Sequence, residues 1–402
     1  MARIHAHSYF HYLQLPSDWT FSPRTDTITE LPTSAAAMTH PSELRDLTRE
    51  ILDLVDASRV FTDIHIEQDR PIMIKTPRGW IEAEGGPVLI DEMAPLLAAI
   101  DENWDTRLAQ GALDRPFVLT RCRLRCHVFR TSGGRKTVIS IRRLPLHPLP
   151  LDKLGLPAYI RTMLESSKGI VFVTGPTGSG KTTTIASLLD HINRTRSCHI
   201  VTIEQPIEYG LERHQSIISQ REVPTDTPSF SNGMREVLRQ RPDVIMVGEI
   251  RDLETAEAVL QAGESGHLVF ATMHTSSALN TLTRLLSFFP AEQRERHAAS
   301  LANSLIGVIC QSLVPSEDGN QLVLAAELLF NHNQQISTLL VDPAKIAFLA
   351  DFIRRKEDNM SRSLNEHLAQ LVAKDVISTR DALRSTYHRM ELHEMLQSSV
   401  NR

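Results

Sequence analysis

The sequence predicts an α/β protein, a mostly parallel sheet alternating with helices, preceded by a smaller α+β domain. Three observations carry that prediction. Short β-branched runs at 170–174, 200–204, 244–247 and 268–272 alternate with helix-compatible stretches, the pattern of a parallel sheet. Upstream, strand-like runs and covering helices follow one another without that alternation. Between the two lies a segment with prolines at 145, 148, 150 and 157, which neither helix nor paired strand accommodates.

Bulk properties narrow the class. A chain of 402 residues suggests about two to three domains. With 41% hydrophobic and 23% charged residues, it is not a largely disordered or collagen-like chain. The 43 basic against 48 acidic residues leave a net charge of −5, unsuited to a protein whose main partner is bulk nucleic acid or an anionic membrane. No apolar run approaches the ~20 residues that span a bilayer. The start, MARIHAHSYFHYLQLPSDW, lacks the basic cap and apolar stretch of a signal peptide. The expectation is a soluble, cytoplasmic, multi-domain protein without a transmembrane segment.

The elements follow in order. Residues 1–40 carry Pro16, Pro23 and Pro32 and no sustained periodicity, so a loosely ordered extension is expected. A small domain is expected over 41–143. Leu44, Leu47, Ile51 and Leu54 recur at helical spacing across 41–56. Strands at 63–66 and 71–74 precede a turn at 77–79, and Asp91 is placed to cap a helix running to Ile100. A hairpin, 121–131 and 136–143, closes the domain around Gly133 and Gly134. Within it Cys122, Leu124, Cys126 and Val128 alternate onto one strand face, with Arg123, Arg125 and His127 on the other. Cys122 and Cys126 resemble half a zinc site, but no second pair matches, and buried thiols are the better account. Residues 144–157 form a semi-rigid linker. Beyond Ser277 the chain reads mainly helical, through 282–285, 301–313 and 364–371.

Chemistry concentrates after the linker. The apolar strand 169–174 runs directly into Gly175-Pro176-Thr177-Gly178-Ser179-Gly180-Lys181-Thr182, followed by a helix-compatible segment from Thr183 to His191. This is GxxxxGK[ST] in its strand–loop–helix context. The glycines let backbone N–H groups converge on phosphate oxygens at a helix N-terminus. Lys181 supplies a cation for the β- and γ-phosphates, and the Thr182 hydroxyl suits Mg²⁺. Such a loop serves kinases, switch GTPases, transporters and motors alike. Two acids narrow the choice. Glu249 follows the apolar strand 244–247, and Glu204 ends the strand 199–203. Ligands of open α/β sheets sit at strand carboxyl ends, so one acid suits the metal side and the other suits orienting water. His267 and His274 bracket the strand 268–273 and lie roughly 23 Å apart along a straight strand. Only His274, at the carboxyl end, is a candidate phosphate sensor; His267 either supports a loop or faces another subunit.

With these segments in hand, the sequence resembles the type II/IV secretion ATPase superfamily, GspE/PilT-like proteins. The matches are GPTGSGKTT (175–183), VTIEQPIEY (201–209), LRQRPDVIMVGEIRD (238–252) and GHLVFATMHT (266–275). SRVFTDIHIEQDRPIMI (58–74) and RLRCHVF (123–129) match the family's PAS-like domain more weakly. Within the superfamily, IISQREVPTDTPSFSNGMREVLRQRPDVIMVGEIRD (217–252) is most similar to the DotB/TraJ branch of type IVB secretion and IncI-type conjugation.

The resemblance implies a RecA-like P-loop ATPase domain (158–315), an N-terminal PAS-like domain and a mostly helical C-terminal region (316–402). It also implies a homohexamer that binds ATP and Mg²⁺ and serves inner-membrane components of a secretion or conjugation machine, with no stable direct nucleic-acid binding. By motif match the 175–183 loop, Gly175 through Thr183, binds nucleotide, and Thr182 and Glu249 serve the metal. Glu204 becomes the catalytic base and His274 the γ-phosphate contact. Arg123, Arg125 and Arg142 match basic positions near nucleotide and subunit boundaries; a solvated basic strand face is the competing account. Three departures favour secretion or conjugation over pilus retraction or alter the acidic box. Gln205 stands where many relatives have Asp, Ile306 replaces an arginine frequent in retraction motors, and 335–340 lacks their AIRNLI element. A nucleic-acid translocase is disfavoured by the acidic balance and only 5% aromatics. A nonhydrolysing ATP-binding switch sits poorly with two strand-end acids.

Overall fold

A computed structural model describes residues 45–56, 60–119 and 122–400; the expected 1–40 extension, the start of the first helix and Arg121 lie outside them. The chain divides into an N-terminal unit ending at Leu144 and a larger unit beginning at Pro145, the turn 77–79 aside.

In the N-terminal unit, helix α1 (Leu47–Asp56) precedes strands β1 (Asp63–Glu67), β2 (Pro71–Thr76) and β3 (Gly79–Pro87). Helices α2 (Ile90–Ile100) and α3 (Trp104–Leu108) follow, then β4 (Leu113–Val118), β5 (Cys122–Thr131) and β6 (Lys136–Pro145). The sheet runs β3-β2-β1-β6-β5-β4. Alternation decides its faces: Cys122, Leu124, Cys126 and Val128 are buried while Arg123, Arg125 and His127 are not. The buried face joins Ile64, Ile66, Ile72 and Ile74 to Leu47 and Ile51 of α1 and Met93 and Leu97 of α2 in one core. Asp91 is not the cap of α2. The helix starts one residue earlier, capped by Leu89, whose backbone N–H bonds the Glu92 carboxylate at 2.8 Å.

The second unit opens with α4 (Thr162–Glu165), β7 (Gly169–Thr174) and α5 (Lys181–Thr195). Next come β8 (His199–Glu204), β9 (Ile217–Glu222), α6 (Phe230–Val237), β10 (Val244–Val247), α7 (Leu253–Glu264) and β11 (Leu268–Met273). Then follow α8 (Ala278–Ser287), α9 (Arg294–Ser304), β12 (Leu305–Pro315) and β13 (Leu322–Phe330). Five further helices complete the unit: α10 (Gln334–Val341), α11 (Leu349–Arg354), α12 (Leu364–Ala373), α13 (Thr379–Arg384) and α14 (Arg389–Val400). The sheet order is β13-β12-β7-β11-β10-β8-β9, parallel except for the antiparallel edge strand β13.

This sheet is covered on both faces, which is why its strands read as unbroken apolar runs. Ile170, Phe172, Ile245, Val247, Val269 and Ala271 pack with α7, α8 and α9. Their alternating neighbours Val171, Val173, Val244, Met246, Leu268 and Phe270 pack with Ile185, Leu188 and Ile192 of α5. Leu151 and Leu154, within the proline-rich 144–157 segment, are buried in that second cluster, so its later half is anchored to the larger unit.

The expected helix over 301–313 is corrected: α9 stops at Ser304 and 305–315 is a strand. A continuous apolar run fits a buried helix or a buried strand equally by periodicity. Gly307 fits the strand, because a Cβ there would collide with the Leu329 carbonyl and with Met163. The 322–330 strand was not expected either. From Gln334 onward the structure is helical as expected, with Leu368, Ile377, Ala382 and Leu392 buried against Val314 and Ala325.

Candidate functional site

The phosphate loop leaves the carboxyl end of β7, flanked by β12 and β11. Its shape depends on glycine. Gly175, Gly178 and Gly180 have φ of 144°, 78° and 84°, in the region closed to most side chains. A Cβ on Gly175 would also strike the Gln311 carbonyl. Gly180 is the N-cap residue of α5, so Lys181 and Thr182 begin the helix with their N–H groups directed into the loop.

Lys181 is buried, and its Nζ donates to the carbonyls of Gly175 at 2.9 Å and Pro176 at 3.0 Å. Burial lowers its pKa. His274 Nδ1 lies 3.4 Å from Lys181 Nζ and 3.4 Å from Thr177 Oγ1. Burial, then the Lys181 charge, lowers the His274 pKa as well, which favours a neutral imidazole.

Glu249 reaches this cluster through a pinned turn. Gly248 N donates to Ile203 O at 2.7 Å, Thr272 Oγ1 donates to Gly248 O, and Ile250 N donates to Thr272 O at 3.1 Å. Glu249 Oε1 lies 3.6 Å from His274 Nε2, while Oε2 accepts from Arg251 Nε at 2.7 Å. The structure thus gathers Thr177, Lys181, Glu249 and His274. His267 is outside: its Nδ1 lies 3.2 Å from both Ala262 O and Ser265 Oγ, in the turn from α7 into β11.

Glu204 has a different setting. It is only 6% exposed. Its Oε1 accepts from Thr202 Oγ1 at 2.7 Å and Gln220 Nε2 at 3.0 Å. Thr202 precedes it by two on the same strand face, and Gln220 pairs with Thr202 across β9. Burial pushes the Glu204 pKa up to about 7 against those two donors. A small cavity joins Glu204 to Thr182, with Tyr209 and Gln220 among its walls, and Tyr209 OH lies 2.9 Å from Thr183 Oγ1.

The three arginines belong to the N-terminal unit. Arg125 grips Asp114 with Nε at 2.9 Å and Nη2 at 2.8 Å, and Arg142 Nε donates to Asp63 at 2.9 Å. Arg123 lies opposite Val118 in the β4–β5 pairing.

Four site residues were not singled out by sequence reasoning. Gln220 and Tyr209 lie within the quoted 217–252 and 201–209 segments, and Arg251 lies two residues past Glu249. Gln311 donates from Nε2 to Ser179 O at 2.7 Å, bracing the loop from β12. An alternating polar position on an apolar strand was the available signal for Gln220 and Gln311.

The residues fit a nucleotide with its metal. The loop keeps a buried Ser179 Oγ without a hydrogen-bond partner. Among the described residues no three metal-ligating side chains converge. That suits Mg²⁺, which is held by one or two protein oxygens plus phosphates, and fits a structural zinc poorly.

The family model "Type II/IV secretion system protein" matches residues 99–380. The type IV pilus retraction ATPase PilT of Pseudomonas aeruginosa is 40% identical over 324 residues, 80% of this chain and 93% of that protein. The crystal structure of the pilus retraction motor PilT with bound ADP superposes with TM-score 0.73 at 36% identity, covering 87% of this chain and 99% of that one. The ATPase DotB of Legionella pneumophila superposes with TM-score 0.77 at 28% identity, covering 86% and 96%. The chain belongs to the type II/IV secretion system ATPase family.

Proposed function

We propose that this member of the family is an ATP-hydrolysing ring motor that powers a type IVB-like secretion or conjugative transfer apparatus. ATP hydrolysis is the chemistry of the family, and the observation that carries it here is the convergence of Lys181, His274 and Glu249 on one loop, with the buried Glu204 opening onto the cavity at Thr182. Lys181 and the N–H groups of 175–183 hold the phosphates, and Thr182 and Glu249 hold Mg²⁺. When bound, Mg²⁺ neutralises charge on the phosphate oxygens. Glu204, its pKa raised to about 7 by burial, accepts the proton of the attacking water in its deprotonated form, and neutral His274 donates a hydrogen bond toward the γ-phosphate.

The working division is an N-terminal domain at 41–143, a linker at 144–157, an ATPase domain from 158 and a helical region after the sheet's last strand. Turnover moves the two domains about the linker. Arg123, Arg125 and Arg142 act at subunit boundaries of a homohexamer, and the ring meets the inner membrane through partner proteins. Among the described residues no helix is long and apolar enough to cross a membrane. Ile306 and the 335–340 segment support secretion or conjugation. The 40% identity to PilT favours pilus retraction as the second reading. Deleting the gene and complementing with Lys181→Ala separates them. Loss of transfer or secretion with pilus retraction intact supports the first reading, and the reverse supports the second.

A further inference from the structure

Glu327 is an acid that the chemistry above does not use. It sits on β13, paired with Cys310 of β12, one residue before the Gln311 that braces the phosphate loop. Its Oε1 accepts the backbone N–H of Ala278 at 2.6 Å. It also accepts the backbone N–H of Leu364. Ala278 and Leu364 are the first residues of α8 and α12, so one carboxylate satisfies a terminal N–H of two separate helices. Burial raises its pKa, while those two donors favour the charged form.

What it holds explains why this matters. α8 begins four residues after His274, and only the turn 274–277 separates them. That turn is tied to the base of the phosphate loop. Thr281 Oγ1 donates to Thr174 Oγ1 at 3.1 Å, and lies 2.7 Å from Thr275 Oγ1. The placement of the His274 ring therefore depends on where α8 starts, and Glu327 sets that position from the edge of the sheet. The same carboxylate reaches α12, the first helix of the group packed on Val314 and Ala325.

We propose that Glu327 is a positioning residue that holds His274 in register with Lys181 by fixing the N-terminus of α8, and that it links this turn to the C-terminal helices through α12. The inference rests on His274 facing the γ-phosphate. The test measures ATP turnover by the full chain in Glu327→Gln, in His274→Ala and in the double variant, using single-turnover conditions for the slow forms. Glu327→Gln should lower kcat about tenfold with KM changed less than about twofold, because the contact acts on the reacting geometry rather than on nucleotide grip. On the His274→Ala background the same change should cost less than about twofold, since the residue it positions is gone.

Ala278→Pro provides an independent arm. Proline at the first helical position removes only the N–H that Glu327 accepts, and the extended Ser277 before it suits a proline. It should reproduce the kcat loss and the coupling to His274. If either variant keeps normal kcat, or if its loss persists in full without His274, the inference is overturned. Normal kcat in His274→Ala alone would instead overturn the site assignment on which it rests.

Discussion

Glu204 ends β8 and Glu249 lies two residues past the adjacent parallel strand β10, and the two have the same side chain, yet they carry different equipment. Glu204 is buried, bonded to the uncharged donors Thr202 and Gln220, and its pKa rises to about 7. Glu249 is more open, clamped by the Arg251 guanidinium and facing His274. On the proposed reading, environment rather than residue type separates Glu204 as proton acceptor from Glu249 as the metal-side acid. Both depend on the phosphate loop for a substrate on which to act.

Removing the loop's cation gives the largest effect. Lys181→Ala should lower ATP turnover by about a thousandfold or more by steady-state assay, silencing both acids together. Survival of turnover would detach the comparison from the nucleotide.

The pH dependence comes next. With Glu204 as base, kcat/KM should rise as pH passes about 7, because the free acid must lose its proton. Stability should move in the opposite direction. Between the ordinary Glu value and about 7 the folded chain holds a proton that the unfolded chain has released, so stability falls as pH rises through this window. Glu204→Gln should flatten that slope in pH-dependent thermal melts.

A smaller shift tests the donors. Gln220→Leu deletes one hydrogen bond that favours the charged form, so the acid limb should move upward by about half to one pH unit. Smallest is Arg251→Ala. That guanidinium is 58% exposed, so losing its pair with Glu249 should cost no more than about 1 kcal/mol in chemical denaturation.

Sequence was most informative where physics is local. The phosphate loop is legible because its glycines, lysine and threonine are consecutive, and the alternating cysteines of β5 announce their buried face. Strands β7, β8, β10 and β11 were legible as apolar runs between helices. The β12–β13 hairpin was not, since Leu305–Pro315 is apolar enough for either a buried helix or a buried strand, and only the neighbouring strand decides. The supports of Glu204 and His274 were also hidden. Gln220 reaches Glu204 across the β8–β9 pairing, while Gln311 reaches Ser179 and Glu327 reaches Ala278 from 132 and 49 positions away in the chain.

The most direct measurement sets Glu204→Gln beside Glu249→Gln, with ATP affinity measured with and without Mg²⁺ and turnover measured in parallel. The account predicts that Glu204→Gln binds MgATP as the parent does while turnover falls by about a hundredfold or more. Glu249→Gln should lose the Mg²⁺-dependent part of its affinity. Equal binding defects in both, or near-normal turnover in Glu204→Gln, would contradict it.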